Sequence, residues 1–258
     1  VLAPAWSRPI IERMPEVRAS IDIPMGHGEL LWKERRELGK SLIGQYDQAI
    51  VLPNSLKSAL IPFFAKIPVR TGWLGEMRYG LLNDARRLNK DYYPLMVERF
   101  VALAQPKGSI LARPLPRPSL QVDSIRVDAL RDEFQLNQQR PVLALCPGAE
   151  FGPSKRWPEE HYTTVAREKI IQGWQVWLLG SGKDEQVAES ITSQLESHLA
   201  EYCVVLAGKT QLADAIDLLS LADAVVSNDS GLMHIAAALQ KPLVVVYGST
   251  SPDFTPPL

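Results

Sequence analysis

The chain has 258 residues, of which 46% are hydrophobic and 22% charged, a composition typical of globular proteins. Its net charge of −1 provides no general attraction to nucleic acid, and no apolar run approaches the roughly 20 residues that span a bilayer. The two cysteines, Cys146 and Cys203, lie in apolar runs typical of strands. We therefore expect buried thiols in a reducing, cytoplasmic environment rather than a disulfide.

The first half of the chain mixes short strands with helices. Hydrophobic periodicity predicts strands at residues 1–5 and 49–52, and helices at residues 8–14, 30–43, 56–64, 93–104 and 128–136. The segment 69–83 holds three glycines, and we expect an ordered loop there. Three prolines at alternate positions in residues 111–119 indicate an extended connection. These features predict an amino-terminal domain at 1–120, a linker region at 121–140 and a carboxyl-terminal domain at 141–258.

From residue 141 onward, apolar strands alternate with amphipathic helices. We predict strands at residues 142–145, 175–179, 203–206, 224–227 and 243–247, with helices at 158–172, 184–199, 212–222 and after Asp229. This alternation predicts an α/β fold whose parallel, doubly wound sheet is covered by helices on both faces. Ligands of such sheets bind beyond the carboxyl ends of the strands.

The most informative of those ends is AVVSNDSGLMHIAAAL at residues 224–239, a strand followed by a polar turn and a helix. Asp229 or Ser230 is a natural N-cap, and Gly231 leaves no side chain between the helix end and a ligand. A helix N-terminus presents unpaired N–H groups and partial positive charge, which suits a phosphate. The alternative is that Asp229 and Ser230 merely cap a helix.

A second loop, PGAEFGPSKRWP at residues 147–158, places Lys155 and Arg156 just before a helix. Cations are unfavourable at a helix N-terminus, so a functional role is favoured over a solvated basic pair. An ammonium there can offset the charge that develops on a departing diphosphate. In a third loop, GSGKDE, either Asp184 or Glu185 could accept hydrogen bonds from ribose hydroxyls, although helix capping explains both equally well.

Other motifs that would indicate a cofactor are absent from the sequence. There is no GxGxxG motif, no P-loop, and no His or Cys cluster with metal-ligand spacing. We therefore expect no dinucleotide cofactor and no metal.

Candidate ligands for a second, anionic substrate lie in the first half. Asn54 and Lys57 open a helix after a strand, and Arg70, Arg78 and the Arg86–Arg87 pair lie in or near the glycine-containing segment. Arginines can grip phosphates or carboxylates, but a scattered solvated surface explains the spacing equally well.

Four segments together resemble the ADP-heptose–lipopolysaccharide heptosyltransferases: SNDSGLMHIAAAL, PGAEFGPSKRWP, RTGWLGEMRYGLLND and YGSTSPDFTPP. The resemblance extends from Val1 to Leu258 and implies a GT-B fold, in which two Rossmann-like domains face a cleft. It implies inverting, metal-independent transfer of heptose from ADP-heptose to a lipid A–core acceptor at the cytoplasmic surface of the inner membrane. The implied product carries a second heptose on heptosyl-Kdo-lipid A; a sibling enzyme with a different acceptor is the alternative.

The resemblance also implies a set of donor-binding residues. Lys155 would stabilise the leaving diphosphate, and one of the two acidic residues would bind the nucleoside. The full implied donor set is Gly148, Ala149, Glu150, Lys155, Asp184, Glu185, Asp229, Ser230, Gly231, Leu232 and His234. For the acceptor, we consider Asn54, Lys57, Arg70 and Arg78.

The sequence departs from the family pattern at its two ends. The family's general base is an aspartate in a loop after the first strand of the amino-terminal domain, and the sequence shows no counterpart of that strand or of the family's last helices. We therefore expect this chain by itself to bind ADP-heptose without transferring heptose. A nucleotide-binding module without catalysis is accordingly a second functional hypothesis.

Overall fold

The computed structural model of the protein describes residues 1–26, 28–137, 139–149 and 153–258. These residues form ten strands: β1 Leu2–Pro4, β2 Ile21–Ile23, β3 Gln48–Val51, β4 Val69–Trp73, β5 Asp84–Arg86, β6 Val142–Cys146, β7 Gln175–Leu178, β8 Cys203–Val205, β9 Ala224–Asn228 and β10 Leu243–Val246. They also form ten α-helices: α1 Arg8–Ile11, α2 Trp32–Ser41, α3 Leu60–Phe64, α4 Met96–Ala104, α5 Ser124–Glu133, α6 Glu159–Ile171, α7 Glu185–Ser193, α8 Ser197–Ala200, α9 Leu212–Ser220 and α10 Gly231–Ala238.

The chain divides into two compact units. The larger unit contains Val1–Asp22, Arg117–Pro252 and Pro257–Leu258, and the smaller unit contains Ile23–Pro116 and Asp253–Pro256. The first 22 residues therefore belong with the second half of the sequence, although residues 1–120 were expected to form one domain. A contact that sequence periodicity cannot reveal accounts for this: both terminal nitrogens of Arg13 bond the buried Asp217 carboxylate, at 2.9 and 2.7 Å.

The larger unit is built on a five-stranded sheet in the order β10-β9-β6-β7-β8, with every neighbouring pair parallel. Its central strand, β6, is buried along its whole length. Leu143 and Leu145 pack into the core on one face of the sheet, and Ala144 and Cys146 pack into the core on the other. A strand covered on both faces reads as a continuous apolar run, which is why the sequence predicted these strands well.

The smaller unit contains a three-stranded parallel sheet in the order β3-β4-β5. The expectation of a loop over residues 69–83 is wrong for its first five residues, which form the middle strand β4. Gly72 weakens the strand signal in the sequence, yet it is buried between two hydrogen-bonded neighbours. Strand β5 was not predicted, because its charged residues give no apolar signal. In the folded chain, Asp84 and Arg86 form an ion pair of 2.7 Å, which makes a polar strand tolerable there.

The predicted helix at residues 184–199 is interrupted. Gly182–Asp184 form a 3-10 turn, and α7 and α8 follow as two separate helices. The other strands and helices after residue 141 confirm the predicted alternation, with ends shifted by at most two residues. The helix predicted at 128–136 is α5, Ser124–Glu133, and the helix predicted at 8–14 ends at Ile11. Strand β2 was not predicted.

Both cysteines lie in strands of the larger sheet. Cys146 and Cys203 are free and buried, and loss of hydration raises their pKa values to about 12 and about 11. Within the described ranges, none of the helices combines the length and the apolar composition that a membrane-spanning helix needs.

The Arg13–Asp217 pair predicts a measurable stability difference. We expect Arg13→Ala to lower the free energy of unfolding by roughly 3–5 kcal/mol, because it leaves a fully buried carboxylate without its cation. Arg8→Ala is the matched control, since the Arg8–Asp22 pair is exposed and should contribute less than about 1 kcal/mol. Urea titration of both variants tests this, and equal effects would contradict it.

Candidate functional site

The candidate site lies at the carboxyl edge of the larger sheet, between β6 and β9. The chain runs outward from β6 through β7 and β8, then returns to place β9 and β10 on the other side of β6. The loops after β6 and β9 therefore separate at this point, and such switch points are where doubly wound sheets bind ligands. The predicted donor residues that the structure describes follow β6, β7 or β9 at this edge.

The turn after β9 presents a helix N-terminus whose amide groups are not capped by a side chain. Ser230 occupies the N-cap position of α10 in an extended conformation but makes no side-chain capping bond. Asp229, the other predicted cap, has its carboxylate bonded elsewhere. The first N–H groups of α10 therefore have no side-chain cap at Ser230, and such groups can bind an anion.

Asp229 instead binds Lys155, which approaches from the loop after β6. Lys155 Nζ donates to Asp229 Oδ2 at 2.7 Å, and the Thr250 hydroxyl donates to the same oxygen at 2.6 Å. Burial favours the neutral acid, but the two hydrogen bonds and the lysine charge outweigh it and lower the pKa of Asp229. The structure thus places an ammonium group directly beside the N-terminus of α10.

Asn228, which sequence reasoning did not select, holds the two loops together. This fully buried residue donates from Nδ2 to the Pro147 carbonyl at 2.6 Å. Its Oδ1 accepts from the Trp157 amide at 3.1 Å and from the Tyr162 hydroxyl at 2.9 Å. Asn228 therefore fixes both ends of the loop that carries Lys155. The one sequence feature that could have indicated Asn228 is its position within the segment SNDSGLMHIAAAL.

The two acidic candidates after β7 have different roles. Asp184 is buried, and its Oδ2 accepts from the Ser181 amide at 2.9 Å and from the Ser181 hydroxyl at 2.8 Å. Glu185 is exposed at the start of α7, and its carboxylate lies over Gly208 at the end of the next strand. Asp184 thus shapes the loop, whereas the carboxylate of Glu185 is accessible to a ligand.

Two glycines permit the close packing of these loops. A Cβ atom on Gly148 would lie 2.4 Å from the carboxyl carbon of Asp184, and one on Gly248 would lie 2.4 Å from the Ser154 carbonyl oxygen. Ala149 is buried beside Gly148. The predicted donor residue Glu150 lies outside the described residues.

The other predicted residues of α10 differ in exposure. Gly231 is exposed and nothing lies within 4 Å of the position its Cβ would occupy, so ligand access is open there. Leu232 packs partly against the core. His234 is exposed on α10, and desolvation lowers its pKa while the Asp229 charge opposes that shift.

The acceptor candidates of the smaller unit are mostly engaged within the protein. Arg78 is fully buried and donates to the Pro53 carbonyl and to Asn54 Oδ1, both at 2.7 Å. Arg70 donates to backbone carbonyls at 2.7 and 2.6 Å. Lys57 is half-buried at the start of a 3-10 turn. Arg78, by its burial, is not available to a ligand in this structure.

The described residues contain no group of three or more His, Cys, Asp or Glu side chains that could hold a metal ion.

Comparison with known proteins gives concordant matches over this fold. Residues 35–258 match glycosyltransferase family 9 (heptosyltransferase). The chain is 56% identical to lipopolysaccharide heptosyltransferase 2 of Salmonella typhimurium, covering all of this chain and 76% of that protein. It matches the structure of E. coli ADP-heptose lps heptosyltransferase II with a TM-score of 0.90 and 52% identity, covering 100% and 78% of the two chains.

A more distant structure, E. coli heptosyltransferase WaaC with ADP, matches with a TM-score of 0.71 at 22% identity, over 98% of this chain and 78% of that one, and supports the fold alone. The matches confirm the predicted GT-B-type α/β fold.

The lowered pKa of Asp229 predicts how stability changes in acid. The ionised carboxylate stabilises the folded state fully above its ordinary pKa of 3.8, and this contribution disappears as the pH falls through the lower folded value. Between about pH 5 and about pH 2, the wild-type protein should therefore lose more stability than Asp229→Asn. Thermal unfolding across this range tests the difference. Thr250→Val, which removes one of the two hydrogen bonds, should fall between them.

Proposed function

We propose that this chain, which belongs to glycosyltransferase family 9, the heptosyltransferases, transfers heptose from ADP-heptose to the inner core of lipopolysaccharide. The names of its relatives at 54–56% identity support the reaction class. The observation that carries the proposal is the placement of Lys155 beside the N-terminus of α10 at the switch point. We further propose heptosyl-Kdo-lipid A as the acceptor.

In this mechanism the larger unit binds the donor through its diphosphate. The phosphate oxygens accept hydrogen bonds from the backbone amides of Ser230 and Gly231. The ammonium group of Lys155, while still bonded to Asp229, also interacts with the phosphates. An acceptor hydroxyl attacks the anomeric carbon, the bond from that carbon to the phosphate oxygen breaks, ADP leaves, and the hydroxyl proton passes to a general base. A single displacement of this kind inverts the anomeric configuration. Lys155 meets the charge that develops on the leaving oxygen.

Asp229 is poorly suited to act as the base. Its carboxylate already accepts two hydrogen bonds, and the same partners lower its pKa. Its role in the proposal is to orient Lys155, which it does from a buried position.

For the nucleoside, we propose Glu185 rather than Asp184. Asp184 Oδ2 accepts both hydrogen bonds from Ser181, Asp184 Oδ1 lies 3.9 Å from an Arg156 guanidinium nitrogen, and the carboxyl group packs against Gly148. Glu185 is exposed at the same edge of the sheet, and a carboxylate there can accept hydrogen bonds from both ribose hydroxyls.

The remaining parts of the proposal concern surroundings and cofactors. The enzyme acts in the cytoplasm at the surface of the inner membrane, where a lipid A-linked acceptor is accessible. It uses no cofactor, because ADP-heptose is itself the substrate. It also needs no metal, since Lys155 and the α10 amides provide the positive charge for the diphosphate.

A transfer assay separates this proposal from its alternatives. Mass spectrometry of heptosyl-Kdo-lipid A incubated with ADP-heptose and the protein should show the mass of one added heptose. Addition only to a different core acceptor would indicate a sibling enzyme. ADP binding without any product would reject this proposal in favour of the nucleotide-binding module without catalysis.

Lys155→Ala should lower the turnover number of heptose transfer by about 100- to 1000-fold, because the lost cation acts on charge that develops in the transition state. ADP affinity, measured by titration calorimetry, should fall much less. Lys169→Ala is the control, since Lys169 lies in the last turn of α6 and should leave both values unchanged. An unchanged turnover number with only a raised KM would mean that Lys155 merely anchors the ground state.

Glu185→Ala should weaken ADP binding by about 10-fold, the effect of losing a charge-assisted hydrogen bond, and leave stability unchanged. Asp184→Ala should instead lower the free energy of unfolding by about 1–2 kcal/mol, because it removes a capping interaction. Glu189→Ala, an exposed carboxylate one turn further along α7, is the control. If only Asp184→Ala weakens ADP binding, and its stability is unchanged, the nucleoside contact belongs to Asp184 instead of Glu185.

Excess chelator should leave the rate of heptose transfer unchanged. A rate that drops on chelation and returns with magnesium or manganese would reject the metal-independent mechanism.

A further inference from the structure

Tyr162 is a fully buried residue of α6, the helix that follows the loop carrying Lys155. Its ring packs edge-on against the Trp157 ring, with the two centroids 5.1 Å apart and the planes at 73°. Its hydroxyl donates to Asn228 Oδ1 at 2.9 Å. Burial raises the pKa of this hydroxyl well above its ordinary value, so the group keeps its proton near neutral pH and remains a donor.

The hydroxyl of Tyr162 completes the hydrogen bonding of the Asn228 side chain. An amide oxygen has two lone pairs, and Asn228 Oδ1 uses one for the Trp157 amide and the other for Tyr162. The Nδ2 group donates to the Pro147 carbonyl at the opposite end of the loop. Without the hydroxyl, this fully buried oxygen would lack one of its two donors, and the hold on Trp157 would weaken.

The bond between Asn228 and Trp157 sets the position of the catalytic cation. Lys155 lies two residues before Trp157, and Asp229 directly follows Asn228. The Trp157–Asn228 bond of 3.1 Å and the Lys155–Asp229 bond of 2.7 Å therefore join the same two loops at neighbouring points. A shift at the first bond is transmitted to the second, and a misplacement of about 1 Å can cost about 100-fold in rate.

We propose that Tyr162 is a positioning residue for heptose transfer. Its hydroxyl acts from within the core, through Asn228 and Trp157, on the place that the Lys155 ammonium group takes beside the donor diphosphate. The catalytic part of this inference rests on the proposed function, whereas the hydrogen bonds that hold the loop do not.

Tyr162→Phe tests the role of the hydroxyl, because it keeps the ring that packs against Trp157. The turnover number of heptose transfer should fall about 10- to 100-fold, and ADP affinity should change much less. Thr163→Val is the matched control. It removes the buried hydroxyl of the next position on α6, which donates to the Glu159 carbonyl at 3.0 Å, and it should keep the wild-type turnover number. An equal loss of turnover in both variants would overturn the inference, since it would reflect a general weakening of α6.

A double variant shows whether Tyr162 acts through Lys155. Adding Tyr162→Phe to Lys155→Ala should lower the turnover number no further, because both changes affect the same ammonium group. A further drop as large as that of Tyr162→Phe alone would mean that the two residues act independently, and would overturn the inference.

Hydrogen exchange of the Trp157 amide, followed by NMR in the whole protein without substrate, separates this inference from the proposed function. Exchange should be about 10-fold faster in Tyr162→Phe, the effect of weakening one buried hydrogen bond, and unchanged in Thr163→Val. Unchanged exchange in Tyr162→Phe would overturn the inference whether or not heptose is transferred. Faster exchange in a protein whose wild type transfers no heptose would reject the proposed function and support the hold of Tyr162 on the loop.

Discussion

The ion pair between Lys155 and Asp229 is the interaction on which the candidate site depends. It joins the loops that follow β6 and β9, which are 74 residues apart in the chain. Removing two charges from water is costly, and a buried pair by itself is a weak source of stability. Thr250 adds a second bond to the carboxylate, so Asp229 remains satisfied when Lys155 shares its charge with an anion. In the proposed mechanism, the pair preorganises a cation for the phosphates of the donor.

A neutral residue, Asn228, completes the same arrangement. The loop carrying Lys155 offers a carbonyl at Pro147 and an amide at Trp157, so the residue that ties its ends must accept and donate at once. An asparagine side chain does both, whereas an aspartate at this buried position could only accept. The charged pair of Lys155 and Asp229 therefore lies where a ligand could share the charge, whereas the fully buried position is occupied by the neutral amide of Asn228.

Pairs of consecutive residues, one buried and one exposed, recur in the loops of both units. In the larger unit, Asp184 is buried and shapes its loop, while Glu185 is exposed. In the smaller unit, Arg78 is buried and Tyr79 is exposed, and the same holds for Arg86 and the residue after it. The buried residue of each pair forms hydrogen bonds within the protein, which fixes the backbone. The side chain of the next residue is exposed to solvent.

The sequence by itself determined the α/β class, the strand–helix alternation of the second half and the motifs of the donor loops. These follow from signals that are local in the chain. Buried parallel strands are continuous apolar runs, amphipathic helices repeat every three or four residues, and the turn at Asp229 and Ser230 lies beside its helix. Where this local signal was weak, at Gly72 within β4 and at the polar strand β5, the prediction was wrong or absent.

Tertiary structure alone decided how residues far apart in the chain share their hydrogen bonds. It placed Val1–Asp22 in the larger unit through the buried pair of Arg13 and Asp217. It also distinguished Asp184 from its neighbour and turned Arg78 from a candidate ligand into an internal anchor. The sequence does not show whether the partner of a charged side chain is a ligand or a distant carbonyl, such as the Pro53 carbonyl 25 residues from Arg78. Which of the two it meets is fixed only when the chain is folded.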